Sequence, residues 1–279
     1  MKRFKMIHHA DQATISEMYE GYAPVFVLST GRSGSKFIVE LLNLSPTIAA
    51  FHEPRPCLQY FSNFAFQHQP QLEILSRMID AARMEMILET HIKNKIYVES
   101  NQCLTFFAPA IAGLFRGAKF AHLLRHPAHF VRSAVRKGWH RNDSIWESGR
   151  VRLADEKNWS RMEQRERLAW LWTVTNEYIE TFKKGLASER SLTVRFEDLL
   201  HGPNEAERLF RFVGSRPINR EQIRQAQDKR INELEIFPDE PPTMRKISDF
   251  PPYEEWPEEW QEKLRAGVGT LAANYGYEV

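Results

Sequence analysis

Short apolar runs alternate along the chain with segments of helical periodicity. The runs are PVFVLS at 24–29, TIAAF at 47–51, KIYVES at 95–100, KFAHLLR at 119–125 and SLTVRF at 191–196. Continuous apolar runs of this length, bounded by turn residues, predict buried strands. Because helical segments separate them, the chain reads as βαβ units. We therefore predict an α/β fold with a central, mainly parallel sheet flanked by helices on both faces.

Two long segments carry apolar residues at steps of three and four. Their apolar positions are Leu168, Leu171, Trp172, Thr175, Tyr178, Ile179 and Phe182, and then Trp256, Trp260, Leu264, Val268 and Leu271. Such stripes place one face of a helix against a core, so we assign these tryptophans to packing and not to a cofactor. A further helical stretch is predicted from Leu104 to Phe115.

Proline and charge are dense at 237–252, FPDEPPTMRKISDFPP, which predicts an extended loop. The loop is a candidate active-site lid, and its Arg245 and Lys246 have a solvated pair of charges as the alternative. No internal repeat or linker requires a second domain, so we expect one domain over residues 1–279.

Composition narrows the class of protein. A formal net charge of +2, with acids and bases mixed, gives no nucleic-acid footprint. Two cysteines give no disulfide framework, and the histidines lack partners at metal-ligand spacing, so no metal is expected. The N-terminus lacks the apolar run of a signal peptide, and no segment approaches the about 20 apolar residues of a membrane span. A cytoplasmic protein is the simplest expectation.

The sharpest local signal is TGRSGSK at 30–36, inside a loop at 29–37 between the first strand and a helix. The segment offers two glycines, two cations and two serine hydroxyls: Gly31, Gly34, Arg32, Lys36, Ser33 and Ser35. Glycines let the backbone turn sharply, and the unpaired N–H groups at a helix start point at an anion. The segment predicts a phosphate site, with a plain Gly/Ser turn as the alternative.

The same segment departs from a nucleoside-triphosphate loop. With Lys36 as the P-loop lysine, glycines belong one and six positions before it and a Ser or Thr directly after it. This chain has Ser35, Thr30 and Phe37 at those positions. The strand at 119–125 ends in Arg125 where an Asp would hold magnesium. A magnesium-ATP-dependent phosphotransferase therefore remains only the alternative, beside a non-catalytic nucleotide-binding module.

A second candidate anion site covers residues 123–137. Arg125 ends the fourth predicted strand, and Ser133 follows eight positions later on the helix that begins near Pro127. An Arg at a strand end and a Ser on the second turn of the next helix can grip a second phosphate. The alternative is a solvated basic helix face.

Together, the two segments resemble the nucleotide-dependent sulfotransferases. Arg32-Ser33-Gly34-Ser35 stands where that family has a basic-Ser-Gly-Thr core for the 5′-phosphosulfate, and Arg125 with Ser133 matches its 3′-phosphate motif. FEDLL after SLTVR resembles the family's RYEDL segment. The resemblance runs from Pro24 to Leu200 and extends weakly to Gly276-Tyr277.

This resemblance implies a P-loop NTPase-like fold. It also implies the donor 3′-phosphoadenosine 5′-phosphosulfate (PAPS), used without a metal. Lys36 replaces the family's usual small hydroxyl residue, which puts that contact with the phosphosulfate in question.

The resemblance also points to a catalytic carboxylate. Several branches use a Glu soon after the phosphate loop, which makes Glu53 the first choice as base, with Arg32 stabilising the leaving phosphate. His52 is an alternative, although adjacent residues on an extended chain point to opposite sides. Glu99 is the third candidate. Thr90-His91 resembles the KTH segment of the small-molecule branch only superficially, and we do not expect His91 to act in catalysis.

The acceptor side is less defined. Residues 56–95 and 138–159 are expected to line it, and they contain Phe61, Phe64, Phe66, Trp139 and Trp146. Aromatic rings can stack on an acceptor or fill a core. A small-molecule, carbohydrate or lipid acceptor, sulfated at oxygen or nitrogen, stays open.

Overall fold

A computed structural model describes residues 10–68, 71–141, 150–216, 218–228 and 250–279. Its core is a five-stranded parallel sheet in the order β2-β3-β1-β4-β5. The strands are β1 Val25–Leu28, β2 Ile48–His52, β3 Ile96–Ser100, β4 Lys119–Leu124 and β5 Ser191–Arg195. All five predicted strands and the α/β fold class are confirmed.

Both faces of the sheet are buried, because helices cover each of them. Successive side chains of a strand point to opposite faces, so each strand contributes to two cores. Phe26 and Leu28 of β1 belong to one apolar core, whereas Val25 and Val27 belong to the other. Helices on each side supply the remaining core residues, which explains why the strands read as continuous apolar runs.

The described helices follow the strands in βαβ fashion. They are α1 Gln12–Glu20, α2 Ser35–Leu42, α3 Ser62–Gln67, α4 Leu72–Ile92, α5 Ala108–Leu114, α6 Pro127–Arg136, α7 Glu156–Arg161, α8 Gln164–Lys183, α9 Phe196–Leu200, α10 Pro203–Val213, α11 Arg220–Asp228 and α12 Glu258–Asn274. None of these helices is both long and apolar enough to cross a bilayer.

The predicted helix at 104–115 is divided in two. A 3₁₀-helix covers Gln102–Phe107, and α5 begins only at Ala108. The reason is Pro109, whose ring in a continuous α-helix would clash with the carbonyl of Thr105. Pro109 is instead tolerated in the first turn of a new helix.

The two predicted helical stripes do pack into the core. Leu168 and Trp172 of α8 are fully buried, and Leu264 and Val268 of α12 are buried as well. Thr173 Oγ1 donates to the carbonyl oxygen of Gly267 at 2.8 Å, joining the two helices.

Most of the proline-dense segment lies outside the described residues, namely residues 237–249, which include Arg245 and Lys246. The single domain over residues 1–279 stays a prediction.

Candidate functional site

The strand order creates a crevice between β1 and β4. The chain leaves β1 towards β2 on one side of the sheet, whereas from β3 it crosses to β4 on the other side. In open α/β sheets, ligands bind where the direction of winding reverses, outside the carboxyl ends of the strands. Both predicted anion-binding segments begin at this point.

The loop after β1 is a tight, internally bonded turn. Gly31, Arg32 and Gly34 have positive φ angles of 74°, 52° and 89°. Ser33 Oγ donates to the Gly31 carbonyl oxygen at 2.9 Å, and Ser29 Oγ accepts from the Gly31 amide at 3.1 Å. Two of the loop hydroxyls therefore fix its shape.

Gly34 is the N-cap of α2 and forms no side-chain cap. A Cβ atom at Gly34 would lie 2.1 Å from Cδ2 of Phe196, the first residue of α9. Glycine is therefore required by both its backbone conformation and its neighbour. The first-turn amides of α2, which lack intrahelical acceptors, lie at the mouth of the crevice. Lys36 lies on this first turn and is exposed.

Arg32 links the two predicted segments. Its Nε donates to Ser133 Oγ of α6 at 3.0 Å, and its carbonyl oxygen accepts from Arg125 Nη1 at 2.7 Å. The structure thus brings Arg32 into contact with Arg125 and Ser133, which lie 93 and 101 positions later in the sequence. Gly31, Ser33 and Gly34 belong to the same loop, and Ser35 is the first residue of α2.

Positive charge is concentrated here at an electrostatic cost. Burial lowers the pKa of Arg125 to about 10, against the opposing effect of Glu197. Burial also lowers the pKa of Arg32, while Glu53 raises it and Arg136 lowers it. Arg125 Nε is buried without a hydrogen-bond partner. Two partly buried guanidinium groups and an unused donor suit an anionic ligand.

The side chains of His52 and Glu53 lie on the same side of the chain. His52 Nε2 is 3.0 Å from Ser35 Oγ and 4.0 Å from Glu53 Oε1. The expectation that these neighbours point apart is therefore wrong. The reason is that Glu53 leaves the strand with a left-handed φ of 44°, so the alternation of an extended chain stops at His52. About a third of each side chain is exposed, 32% for His52 and 34% for Glu53.

Glu99 occupies a different environment from Glu53. Its carboxylate forms a bidentate ion pair with Arg83, at 2.6 Å from Arg83 Nε and 2.8 Å from Nη2, and both side chains are 0% exposed. Glu99 therefore has no access to an acceptor, and its candidacy as the base is wrong. Sequence analysis also missed Arg83, because a single Arg on the apolar side of a long helix gives no local signal.

A sequence model described as the Sulfotransferase family matches residues 24–216. The chain belongs to the sulfotransferase family. No curated protein matched the sequence.

Solved structures agree in fold. The sulfotransferase domain of the Synechococcus PCC 7002 olefin synthase is 18% identical with a TM-score of 0.52, covering 92% of this chain and 95% of that one. The sulfotransferase domain from the curacin biosynthetic pathway is 15% identical with a TM-score of 0.53, covering 92% and 99%. Sulfotransferase STF9 from Mycobacterium avium is 10% identical with a TM-score of 0.54, covering 99% and 82%.

The C-terminal tail of this sulfotransferase packs beside Arg125. Glu197 Oε1 accepts from the His126 amide and Oε2 accepts from Tyr277 Oη, each at 2.9 Å. Although burial acts to raise the pKa of Glu197, hydrogen bonds from His129, His126 and Tyr277 lower it to about 2. The Arg195 guanidinium also lies over the aromatic ring of Tyr277, with its Cζ atom 4.6 Å from the ring centroid.

The lowered pKa of Glu197 predicts that the packing of the C-terminal segment becomes less stable in acid. Because its folded-state pKa is depressed, Glu197 stabilises the fold fully above its ordinary pKa of 4.5, and that contribution is lost as pH falls towards about 2. We expect Glu197→Gln to reduce the difference between the free energies of unfolding at pH 6 and pH 3, both measured by denaturant unfolding. Equal pH dependence in the variant and the wild type would contradict this expectation. Glu73→Gln is the control, since the Glu73 side chain on α4 is 79% exposed and pairs only with the equally exposed Arg77 among the described ion pairs.

Aromatic residues of the predicted acceptor side divide into two groups. Trp139 lies against the phosphate loop, where a Cβ at Gly31 would be 2.8 Å from its Cη2. Phe61 is 46% exposed, whereas Phe66 packs edge-on against Phe106 at 4.9 Å in the core. Phe64 also packs against that core, and Trp146 lies outside the described residues.

Within the described ranges, no three His, Cys, Asp or Glu side chains are grouped to share a metal ion.

Proposed function

We propose that this sulfotransferase takes a sulfuryl group from PAPS and transfers it to a hydroxyl or amine of a small-molecule, carbohydrate or lipid acceptor. The observation that carries the proposal is the contact of Arg32 with both Ser133 and Arg125. A donor with a 5′-phosphosulfate and a 3′-phosphate needs two anion sites joined at a fixed separation, and this contact joins two such segments.

The loop and the helix start are suited to the 5′-phosphosulfate. The amides of Arg32 to Lys36, with the Arg32 guanidinium, offer donors to the phosphate and sulfate oxygens. The Ser35 hydroxyl and the Lys36 ammonium would extend this set. Arg125 and Ser133 would hold the 3′-phosphate, with Arg125 Nε as a donor that has no protein partner.

The transfer asks for alignment and charge stabilisation more than for covalent catalysis. The acceptor oxygen or nitrogen forms a bond to sulfur while the bond from sulfur to the bridging phosphate oxygen breaks. The acceptor proton passes to the Glu53 carboxylate, and 3′-phosphoadenosine 5′-phosphate (PAP) leaves with the bonding electrons. Arg32 would stabilise the negative charge that develops on the leaving phosphate.

Donor binding can be tested without knowledge of the acceptor. Calorimetry with PAP in the absence of magnesium is expected to give micromolar affinity. Absence of binding by the folded protein would contradict the proposal, and magnesium-dependent binding of ATP would indicate a phosphotransferase instead. Tight PAP binding without sulfation of any hydroxyl or amine acceptor would indicate a non-catalytic binding module.

The role of Arg125 gives a sharper prediction. Arg125→Ala is expected to weaken PAP binding about 10- to 150-fold, because a hydrogen bond to a charged group contributes about 1.5–3 kcal/mol. Adenosine 5′-phosphate, which lacks the 3′-phosphate, should bind the variant and the wild type equally. The control is Arg116→Ala, since Arg116 is exposed and pairs with Glu20 before the amino end of β4. An equal loss for both nucleotides would show that Arg125 does not contact the 3′-phosphate.

A further inference from the structure

The turn that carries Glu53 is conformationally costly. A non-glycine residue rarely adopts a left-handed φ, and such a residue persists only where its surroundings hold it. The Glu53 amide donates to the Ser100 carbonyl oxygen at 3.1 Å, which holds the turn on the side of β3. The segment that follows, residues 54–57, leaves the sheet and needs a second anchor.

Arg83 of α4 provides that anchor. Its Nη2 donates to the carbonyl oxygen of Pro54 at 3.2 Å, and its Nη1 donates to that of Pro56 at 2.8 Å. The other donors go to Glu99, through Nε and Nη2, and to the Ala82 carbonyl oxygen at 2.9 Å. A guanidinium has five N–H groups, and these five bonds use them all.

Glu99 is saturated in the same way. Besides Arg83, its carboxylate accepts from Tyr97 Oη at 2.7 Å and from Asn101 Nδ2 at 3.0 Å. Asn101 Nδ2 also lies 3.2 Å from the Cys57 carbonyl oxygen, so the network reaches the far end of the turn. No donor or acceptor of this pair remains for a substrate. A buried ion pair contributes little net stability compared with apolar packing, so its distinctive contribution is geometry.

We infer that Arg83, oriented by Glu99, is a positioning residue for Glu53. By fixing the carbonyl groups of Pro54 and Pro56, it holds the left-handed turn that places the Glu53 carboxylate beside His52 and on the side of Arg32. This inference rests on the proposed function, in which Glu53 accepts the acceptor's proton. The fork geometry of Arg is essential, because two carbonyl groups and a carboxylate must be bonded at once.

Arg83→Lys tests the inference, since it keeps a positive charge opposite Glu99 but has a single nitrogen. We expect kcat for PAPS hydrolysis, with water as the acceptor, to fall about 10- to 100-fold, because small misplacements of a catalytic group are costly. The Kd for PAP should stay that of the wild type. The control is Tyr97→Phe, which removes a bond to Glu99 but none to the turn, and it should retain most of the wild-type kcat.

A double-mutant cycle separates positioning from a general effect. In a Glu53→Gln background, Arg83→Lys should cause no further loss of kcat, because the group it positions is already disabled. Losses that multiply, or a parallel loss of PAP affinity in Arg83→Lys, would overturn the inference.

Hydrogen exchange tests the anchor without turnover. If the wild type binds no PAP, the proposed function fails, and if it binds PAP but does not hydrolyse PAPS, water is not its acceptor; in both cases the amides of Glu53, Arg55 and Cys57 still report on the turn. Their exchange should be faster in Arg83→Lys than in Tyr97→Phe, while the amides of the phosphate loop are unchanged. Equal exchange in the two variants would overturn the anchoring role of Arg83.

Discussion

Glu53→Gln is expected to lower the turnover of PAPS about 10²- to 10⁴-fold, the usual contribution of a general base. The substitution keeps the shape of the side chain but removes its ability to accept a proton. PAP binding should persist, because the anion-binding donors lie on other residues. Turnover is measured as PAP release with water and with 4-nitrophenol as acceptors, and binding by calorimetry without magnesium.

His52→Gln is the matched comparison for this prediction. His52 lies 4.0 Å from Glu53 and is hydrogen-bonded to Ser35, so its ring shares the site. We expect a smaller loss from His52→Gln, since the amide can still bond Ser35. A large loss in His52→Gln with near-normal turnover in Glu53→Gln would assign the base to His52 instead.

Gly34→Ala is expected to have the largest effect on stability. Its left-handed conformation costs an alanine about 1–2 kcal/mol, and the contact of its Cβ with the Phe196 ring adds about 1–3 kcal/mol. Because neither the loop nor α9 can move without disturbing the phosphate site, PAP affinity should fall as well. Thermal or denaturant unfolding measures the first effect, and calorimetry measures the second.

Gly138→Ala isolates the conformational part of that cost. Gly138 also has a positive φ, 69°, but a Cβ there would meet nothing within 4 Å. We expect a loss of only about 1–2 kcal/mol and unchanged PAP affinity. If the two variants were destabilised equally, the packing of Phe196 on Gly34 would not constrain the loop.

The phosphate loop and the strand ends could be predicted because their signals are local. A short apolar run followed by TGRSGSK is visible within about a dozen residues, and the buried parallel strands need no knowledge of their neighbours. Arg125 and Ser133 could also be predicted, since the end of a strand and the second turn of the following helix have a fixed spacing in sequence.

The surroundings of the candidate base could not be predicted in this way. His52 and Glu53 share a side only because a left-handed residue ends the strand, and Arg83, far along the chain, holds the segment that follows. Glu99 looked equivalent to Glu53 in sequence, as each is a carboxylate near the end of a strand. Burial and the bidentate pair with Arg83 separate them.

The sequence by itself determined the strands, their α/β order, the phosphate loop and the two segments that resemble sulfotransferase motifs. These features depend on periodicity and on turn chemistry between near neighbours. Only the tertiary structure decided that Arg32 joins Ser133 to Arg125, that Glu99 is withdrawn into a buried pair and that Phe196 excludes a side chain at Gly34. The physical reason is that hydrogen bonds, burial and steric contacts act between residues brought together by the fold, whatever their separation along the chain.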